Sequence, residues 1–266
     1  MDAWDLMEHW DLVLPPSRPS ALQLSNIRSL IKGIDRSKPV AVLGSTPEFR
    51  DLLFENGFES IHVLERNLRS LDRMSALRVY KNAETIVEGD WLTTLPRVKG
   101  KFSLILSDLT SGNIPYASRR KFYTLIAEAL SIGGIFCDKV LTHPQPHIQL
   151  SSLVKKYDGL PLNLLYANHF SCEALFCSEL LDIKQMVDSS LFYSILADRI
   201  KSERVLAFAQ EAQRVTPVGG VWWYGRKWDE LSSDYCHSLV LLSVDDDEPS
   251  SPYFQRLKFF VHTRKS

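Results

Sequence analysis

Short aliphatic runs alternate with amphipathic stretches between residues 38 and 139. Short apolar runs are typical of strands buried on both faces of a sheet, whereas apolar residues at every third or fourth position indicate helices packed against it. Right-handed crossovers between such elements leave few other topologies, so the pattern predicts a Rossmann-like, doubly wound, mostly parallel α/β sheet. Five strands are predicted: Val40–Leu43, Ser60–Leu64, Glu84–Val87, Phe102–Leu106 and Ile135–Val140.

Helices are predicted between these strands. The first begins near Pro47, which suits an opening helical turn, with Ser45 or Thr46 as its N-cap. It ends at Asn56-Gly57, because glycine readily adopts the positive φ that closes a helix. Apolar residues at helical spacing predict two more helices, Asn67–Val79 and Arg119–Leu130.

The pattern changes after residue 147. Residues 148 to about 215 show helical spacing with no strand pattern between the helices, which predicts a helical cap inserted into the sheet domain. β character then returns on both sides of a polar, proline-containing loop, which predicts an antiparallel hairpin at the sheet edge. The cap helices are predicted at Ser151–Tyr157, Cys172–Asp182, Asp188–Glu203 and Val205–Arg214, and the hairpin strands at Ser238–Val244 and Gln255–Thr263.

Composition narrows the class of protein. The 266 residues are 45% hydrophobic and 24% charged, with a formal net charge of -1, which argues against a protein that mainly grips nucleic-acid phosphates. The four cysteines lack zinc-finger spacing, so we expect reduced thiols in a cytoplasmic protein and no metal site. The N-terminus is acidic and no apolar run approaches about 18 residues, so we expect neither a signal peptide nor a membrane span.

The first strand, turn and helix form half of a nucleotide-type site. The strand ends at Gly44, a helix follows, and the next strand ends at Glu65. A helix N-terminus offers unpaired N–H groups, and an acid at the end of the second strand lies where ribose hydroxyls bind in such folds. This arrangement predicts a nucleotide-like ligand at the carboxyl ends of the strands.

These features together resemble the class I S-adenosylmethionine-dependent methyltransferases. The segment Leu43-Gly-Ser-Thr-Pro-Glu48 is similar to a Leu-Gly-x-Thr-Pro-Glu variant of their first motif, although Gly44 stands alone where the common pattern has several glycines. The resemblance is strong from Ser37 to Val140 and weak in the C-terminal hairpin. It rests further on the acid Glu65, on Gly89-Asp90-Trp91 after the third strand, on Asp108 after the fourth and on Gly133-Gly134 before the fifth.

The resemblance implies how the adenosine part of S-adenosylmethionine would be held. Glu65, with Arg66 beside it, would accept hydrogen bonds from the ribose hydroxyls. Asp90 would accept from the adenine amino group, and Trp91 would pack on the ring. The alternatives stay open: Glu65 as a surface acid paired with Arg66, and Asp90 as a helix N-cap.

The resemblance also implies residues around the methionine end of the cofactor. Gly44 would allow close backbone approach, while Ser45 and Thr46 would donate hydrogen bonds. Arg18, in a leader that resembles one lying over the cofactor, would bind its carboxylate, or it would be an ordinary solvated arginine. Asp108 would face the sulfonium or the nucleophile, or would cap the loop that follows it.

A general base helps methyl transfer when the acceptor is a hydroxyl or a protonated amine. The candidate bases near the strand ends are Asp108, Tyr116, Lys139, His143 and His147, of which Asp108, Tyr116 and His143 are predicted to be catalytic. His143 and His147 are separated by prolines, which exclude a helical metal-binding pair, so these histidines are interpreted as loop residues. The aromatic and basic segment Trp222–Trp228 either lines a pocket for a flat or anionic acceptor or packs the junction between cap and sheet.

Four segments follow from this interpretation: a helical leader over the cofactor site (1–36), a cofactor-binding core (37–147), a helical cap near the substrate (148–228) and a hairpin completing the sheet (229–266). The implied activity is methyl transfer to an O or N atom of a small metabolite or modified peptide. A non-catalytic scaffold and an NAD(P)-dependent oxidoreductase are the alternatives, the second weakened by the missing Gly-x-Gly-x-x-Gly turn. Nucleic-acid methylation is least favoured, and the sequence leaves the oligomeric state open.

Overall fold

A seven-stranded, mostly parallel sheet forms the centre of the protein, for which a computed structural model describes residues 10, 13, 15, 17–142, 148–177, 186–215, 220–223, 226–249 and 255–265. The strands within these ranges are β1 Val40–Leu43, β2 Ile61–Glu65, β3 Thr85–Glu88, β4 Phe102–Asp108, β5 Leu130–Leu141, β6 Met186–Asp188, β7 Val221–Trp223, β8 Leu239–Asp246 and β9 Leu257–Arg264. The large sheet has the order β3-β2-β1-β4-β5-β9-β8. Strands β1 to β5 pair in parallel, and β9 is antiparallel to both β5 and β8.

Helices cover both faces of this sheet. One buried cluster joins Ile27 and Phe49 to β1, and another packs Phe122 and Leu231 against the opposite face, so the predicted doubly wound α/β class is confirmed. None of the helices in the described ranges has both the length and the apolar character needed to cross a bilayer. The helices are α1 Ala21–Leu30, α2 Pro47–Glu55, α3 Leu68–Ala76, α4 Trp91–Thr94, α5 Tyr116–Ala129, α6 Leu150–Asp158, α7 Leu164–Ala174, α8 Ser189–Arg199, α9 Glu203–Val215 and α10 Trp228–Tyr235.

Several element boundaries in the sheet domain differ from the predictions, and two of the differences have a visible cause. Helix α3 ends at Ala76 rather than Val79, because the backbone N–H groups of Val79 and Tyr80 donate to the Asp51 carboxylate at 2.7 and 3.2 Å. Strand β5 begins at Leu130, so Gly133 and Gly134 lie inside it and not before it. A Cβ at Gly134 would lie 2.8 Å from the Phe102 carbonyl oxygen, which explains why glycine is needed where the two strands shift register.

The cap has a core of its own, which includes Tyr157, Phe170 and Phe208. Helix α7 ends at Ala174, whereas the sequence predicts a helix over Cys172–Asp182, whose residues 178–182 lie outside the described ranges. The Asn163 side chain starts α7 by accepting from the Tyr166 N–H at 2.9 Å.

The expectation of a cap without strands is wrong. Strands β6 and β7 form a small antiparallel pair, each three residues long and therefore too short to show a period of two. The sequence predicts no helix at the position of α10, which begins at Trp228. The Trp228 ring stacks on Phe260 of β9 with centroids 5.6 Å apart. This end of the Trp222–Trp228 segment therefore packs on the sheet.

Candidate active site

A cleft of about 190 Å³ opens at the carboxyl ends of the central strands. Strand β1 pairs with β2 on one side and with β4 on the other, so the strand order reverses at this point. Open α/β sheets place their ligands at such a reversal. The lining residues are Trp10, Ser17, Leu43, Gly44, Ser45, Thr46, Glu65, Met74, Trp91, Asp108, Leu109, Thr110 and Asn113.

Gly44 lies at the floor of the cleft with φ +89°, a conformation that side-chain-bearing residues rarely adopt. Its N–H donates to the Leu64 carbonyl at 3.0 Å, which continues the β1–β2 pairing into the turn. A Cβ built on Gly44 would lie 3.9 Å from Glu65 Oε2. The glycine therefore keeps the backbone turn open directly beside the Glu65 carboxylate.

Glu65 ends β2 and is buried, with one carboxylate oxygen accepting from the Asn67 N–H at 2.8 Å. Burial raises the pKa of Glu65, while the hydrogen bonds from the backbone of Asn67 and Arg66 oppose that rise. A carboxylate that has lost water in this way is stabilised by donors from a ligand. The geometry suits a pair of hydroxyl groups entering the cleft.

Trp91 also lines the cleft, and its Nε1 donates to the Leu64 carbonyl at 2.8 Å, which fixes the indole at the end of β2. Asp90 instead caps α4 by accepting from the Leu92 N–H at 2.8 Å. Its other carboxylate oxygen lies 3.9 Å from the exposed Arg66 guanidinium. Asp90 and Arg66 stand outside the residues that line the cleft, so the N-cap alternative describes Asp90 here and both cofactor contacts stay predictions.

The opposite side of the cleft is held by a buried ion pair. Asp108 Oδ1 contacts Lys139 Nζ, whose side chain is fully buried, and the two residues are register partners on β4 and β5. Asp108 Oδ2 accepts from the Thr46 hydroxyl at 3.0 Å. Both carboxylate oxygens are therefore engaged by the protein itself, so Asp108 could act as a base only by giving up these contacts.

Thr46 occupies the N-cap position of α2, as predicted, but its hydroxyl makes no capping bond there because it reaches Asp108. The Ser45 hydroxyl lies 3.3 Å from the Ser70 hydroxyl. Leu109, directly after Asp108, has φ +58°, which is costly for a branched side chain and marks a constrained turn at the cleft.

The leader contacts the cleft through Glu48, a residue that the sequence singles out only as part of the first motif. Trp10 Nε1 and Arg18 Nη2 both donate to Glu48 Oε1, at 2.8 and 2.9 Å. Arg18 Nη1 also donates to the Trp10 carbonyl at 2.8 Å. Arg18 is thus paired with a carboxylate of the protein, and its contact with a cofactor carboxylate stays a prediction.

Tyr116 begins α5, and the guanidinium carbons of Arg119 and Arg226 each lie 4.5 Å from its ring centroid. Burial raises the pKa of Tyr116, which favours the phenol as a hydrogen-bond donor over a base at neutral pH. His143, the remaining catalytic candidate, lies outside the described residues, as does His147.

Asp138 is a functional candidate that sequence reasoning missed. It is fully buried on β5, where its carboxyl accepts from the Ser107 hydroxyl at 2.7 Å and the Tyr123 hydroxyl at 3.1 Å. Burial raises the pKa of Asp138 to about 7, against the lowering effect of these hydrogen bonds. Only its position beside Lys139 at the end of an apolar strand could have indicated it.

In the described part of the chain, no three histidine, cysteine or acidic side chains are grouped as a metal site. No protein-family model matches the sequence, and no curated protein matches it.

Solved structures do match over nearly the whole chain. CcbJ, a methyltransferase from Streptomyces caelestis, has a TM-score of 0.58 at 14% identity, covering 100% of this chain and 99% of that one. An S-adenosylmethionine-dependent methyltransferase from Clostridium acetobutylicum has a TM-score of 0.56 at 10% identity, covering 100% of both chains. A protein from Rhodobacter sphaeroides, provisionally named a Zn-dependent alcohol dehydrogenase, has a TM-score of 0.60 at 14% identity, covering 99% of this chain and 97% of that one.

At these identities the comparisons bear on the fold. Several matched structures are methyltransferases, and the sheet order with its antiparallel β9 agrees with the resemblance drawn from the sequence. The chain therefore has the Rossmann-like fold of the S-adenosylmethionine-dependent methyltransferases.

Proposed function

We propose that the protein transfers a methyl group from S-adenosylmethionine to an O or N atom of a small metabolite or modified peptide. The observation that carries this proposal is the meeting of Gly44, Glu65 and Trp91 in one cleft at the strand reversal. An open backbone turn, a buried acid and a flat apolar ring are the elements that an adenosyl group needs. Structures described as S-adenosylmethionine-dependent methyltransferases share this fold and support the choice of cofactor.

The residues present fit the cofactor at two points. Gly44, with its positive φ, turns the backbone beside Glu65 Oε2, and both residues line the cleft that a ribose would enter. Burial raises the pKa of Glu65 although the backbone of Asn67 and Arg66 donates to it, so hydroxyl donors from a ribose would further stabilise the carboxylate. Glu65 and Trp91 would hold the adenosine, while Gly44, Ser45 and Thr46 would lie near the methionine end.

Bound S-adenosylmethionine would supply an electrophilic methyl group for in-line displacement by the acceptor atom. The protein's part is then to position the acceptor and to exclude water, so few groups need to react. The Asp108–Lys139 pair fixes one side of the cleft, and the Trp10 and Ser17 contacts place the leader at its rim. Tyr116, with its raised pKa, suits orientation of the acceptor by donating a hydrogen bond.

Calorimetric titration of the whole protein with S-adenosylhomocysteine tests this proposal. We expect one site per chain, and about ten- to hundredfold weaker binding by Glu65→Gln, because that change removes a charged acceptor for two hydroxyls. The control is Glu88→Gln, since Glu88 is the register partner of Glu65 on β3 but is exposed. Its affinity should match that of the wild type.

Two other outcomes would favour the alternatives. The Rhodobacter sphaeroides structure is the specific reason to include NADH as a second titrant. A protein that binds NADH saturably but does not bind S-adenosylhomocysteine would be an oxidoreductase. A protein that binds neither ligand would be a scaffold. We place the protein in the cytoplasm within this proposal, which the four cysteine thiols support.

A further inference from the structure

Two arginines meet at Tyr116, and each has a buried N–H donor without a partner among the residues that the structure describes. The guanidinium carbons of Arg119 and Arg226 each lie 4.5 Å from the Tyr116 ring centroid, so they lie within twice that distance of each other. Arg119 Nη1 and Arg226 Nε are both buried and have no hydrogen-bond partner among the described residues. Buried guanidinium N–H groups without acceptors are costly, and an oxyanion would satisfy them.

Charge balance supports the same conclusion. The Arg226 guanidinium is paired with Asp234, to whose oxygens Nη1 donates at 3.2 and 3.3 Å. Arg119 is 1% exposed, and within the described part of the chain its side chain makes one hydrogen bond, from Nε to the Ile114 carbonyl at 3.1 Å. Asp138, the nearest acid on β5, is already bonded to Ser107 and Tyr123. Asp234 attracts both arginines, so two cationic charges share one carboxylate, and no carboxylate among the described residues is ion-paired with Arg119 itself.

This pair lies between the cleft and the cap. Ile114, which holds Arg119, follows the 3₁₀ turn Thr110–Asn113, two of whose residues line the cleft. Arg226 follows strand β7 of the cap, whose Trp223 carbonyl lies 3.9 Å from the position of a Cβ on Gly112 in that turn. The two arginines do not line the cleft themselves, but the turn Thr110–Asn113 connects them to it.

We propose that Arg119 and Arg226 form a subsite for a carboxylate or phosphate group carried by the methyl acceptor. Arg226, with 21% of its side chain exposed, is the solvent side of the subsite, and the buried Arg119 is its inner side. The Tyr116 ring holds the two guanidinium groups near each other, because both contact it. This inference rests on the proposed function, and it narrows the acceptor to an anionic molecule.

The test titrates the whole protein with sodium phosphate and, separately, with sodium acetate, at constant ionic strength set by sodium chloride. We expect saturable binding of one of the two anions, which identifies the group recognised, together with a rise in melting temperature. Arg226→Gln should weaken that binding about tenfold or more, because it removes a charge-assisted donor. Arg119→Lys should also weaken it, since lysine lacks the planar fork of donors.

The matched control is Arg120→Gln, which removes the same charge from an exposed neighbour in α5. Equal loss in this control, wild-type binding by Arg226→Gln, or no saturable binding of either anion would overturn the subsite. S-adenosylhomocysteine should bind Arg226→Gln as it binds the wild type. Phosphate or acetate binding without S-adenosylhomocysteine binding would contradict the methyltransferase function but keep the anion site, and the reverse result would contradict the anion site alone.

Discussion

Each of the two walls of the cleft contains an acidic side chain, and the two acids have different surroundings. On the first wall, formed by Gly44 and Glu65 at the ends of β1 and β2, a buried acid has a raised pKa and one oxygen beside an open turn. On the second wall, at the ends of β4 and β5, Asp108 is already bonded to Thr46 and the buried Lys139. The acid of the first wall lies in the cleft beside a glycine turn, whereas both oxygens of the acid of the second wall are engaged by side chains of the protein.

Breaking the ion pair of the second wall should have the largest effect. Lys139→Met leaves Asp108 charged and unpaired at a buried site, and we expect the free energy of unfolding to fall by about 3–5 kcal/mol. Lys99→Met is the control, because Lys99 and Glu128 pair at 2.7 Å with side chains 61% and 38% exposed. That change should cost about 1 kcal/mol or less. Equal losses in urea unfolding would refute a structural role for the buried pair.

The second wall should also depend on pH through Asp138. Its folded-state pKa of about 7 lies above the ordinary value of 3.8, so the folded protein prefers the protonated carboxyl. Stability from this group is therefore present below pH 4 and is lost as pH rises through 7, by up to about 4 kcal/mol. Asp138→Asn should flatten this dependence in urea unfolding measured from pH 4 to 8.

Asp158→Asn is the control for that series, since Asp158 is an exposed cap residue whose carboxylate accepts from the Ser202 hydroxyl at 3.0 Å. It should leave the pH dependence as in the wild type. A profile for Asp138→Asn that still falls between pH 4 and 7 would mean that another group produces the effect.

The smallest effect is expected at the rim of the first wall, where Glu48 holds the leader. Glu48→Ala removes the acceptor for Trp10 Nε1 and Arg18, so the leader should open more often and chymotrypsin should cleave after Trp10 about threefold faster. Glu55→Ala, in the same helix, removes a half-exposed pair with Arg28 and should leave the rate unchanged. Identical cleavage of Glu48→Ala and the wild type would show that Glu48 does not retain the leader.

The same comparison explains what the sequence could predict. The first wall comes from neighbouring residues: a strand, Gly44, Pro47 at a helix start and Glu65 ending the next strand are all visible as local patterns. The second wall depends on pairs between strands, such as Asp108 with Lys139 and Ser107 with Asp138. Such pairs follow from register, which a single sequence does not reveal.

Prediction of the site from the sequence was also limited because one residue type can have several roles. The resemblance implies an adenine contact for Asp90, whose side chain also suits an N-cap, and in the structure it accepts from the backbone N–H of Leu92. Arg18 likewise meets a carboxylate, but that carboxylate belongs to Glu48. The sequence indicates which residues can accept or donate, whereas their partners depend on what else the fold brings near.

The position of β9 has a consequence for biosynthesis. In the sheet, β5 pairs with β4 on one side and with β9 on the other. The whole cap and β8 precede β9 in the chain, so they leave the ribosome before β9 does. Until then the β5 edge, with Phe136, Cys137 and Val140, stays open to pairing with another nascent chain. The cap, which has its own apolar core, can fold during that interval, so the newborn polypeptide spends it with a finished cap and an unfinished sheet.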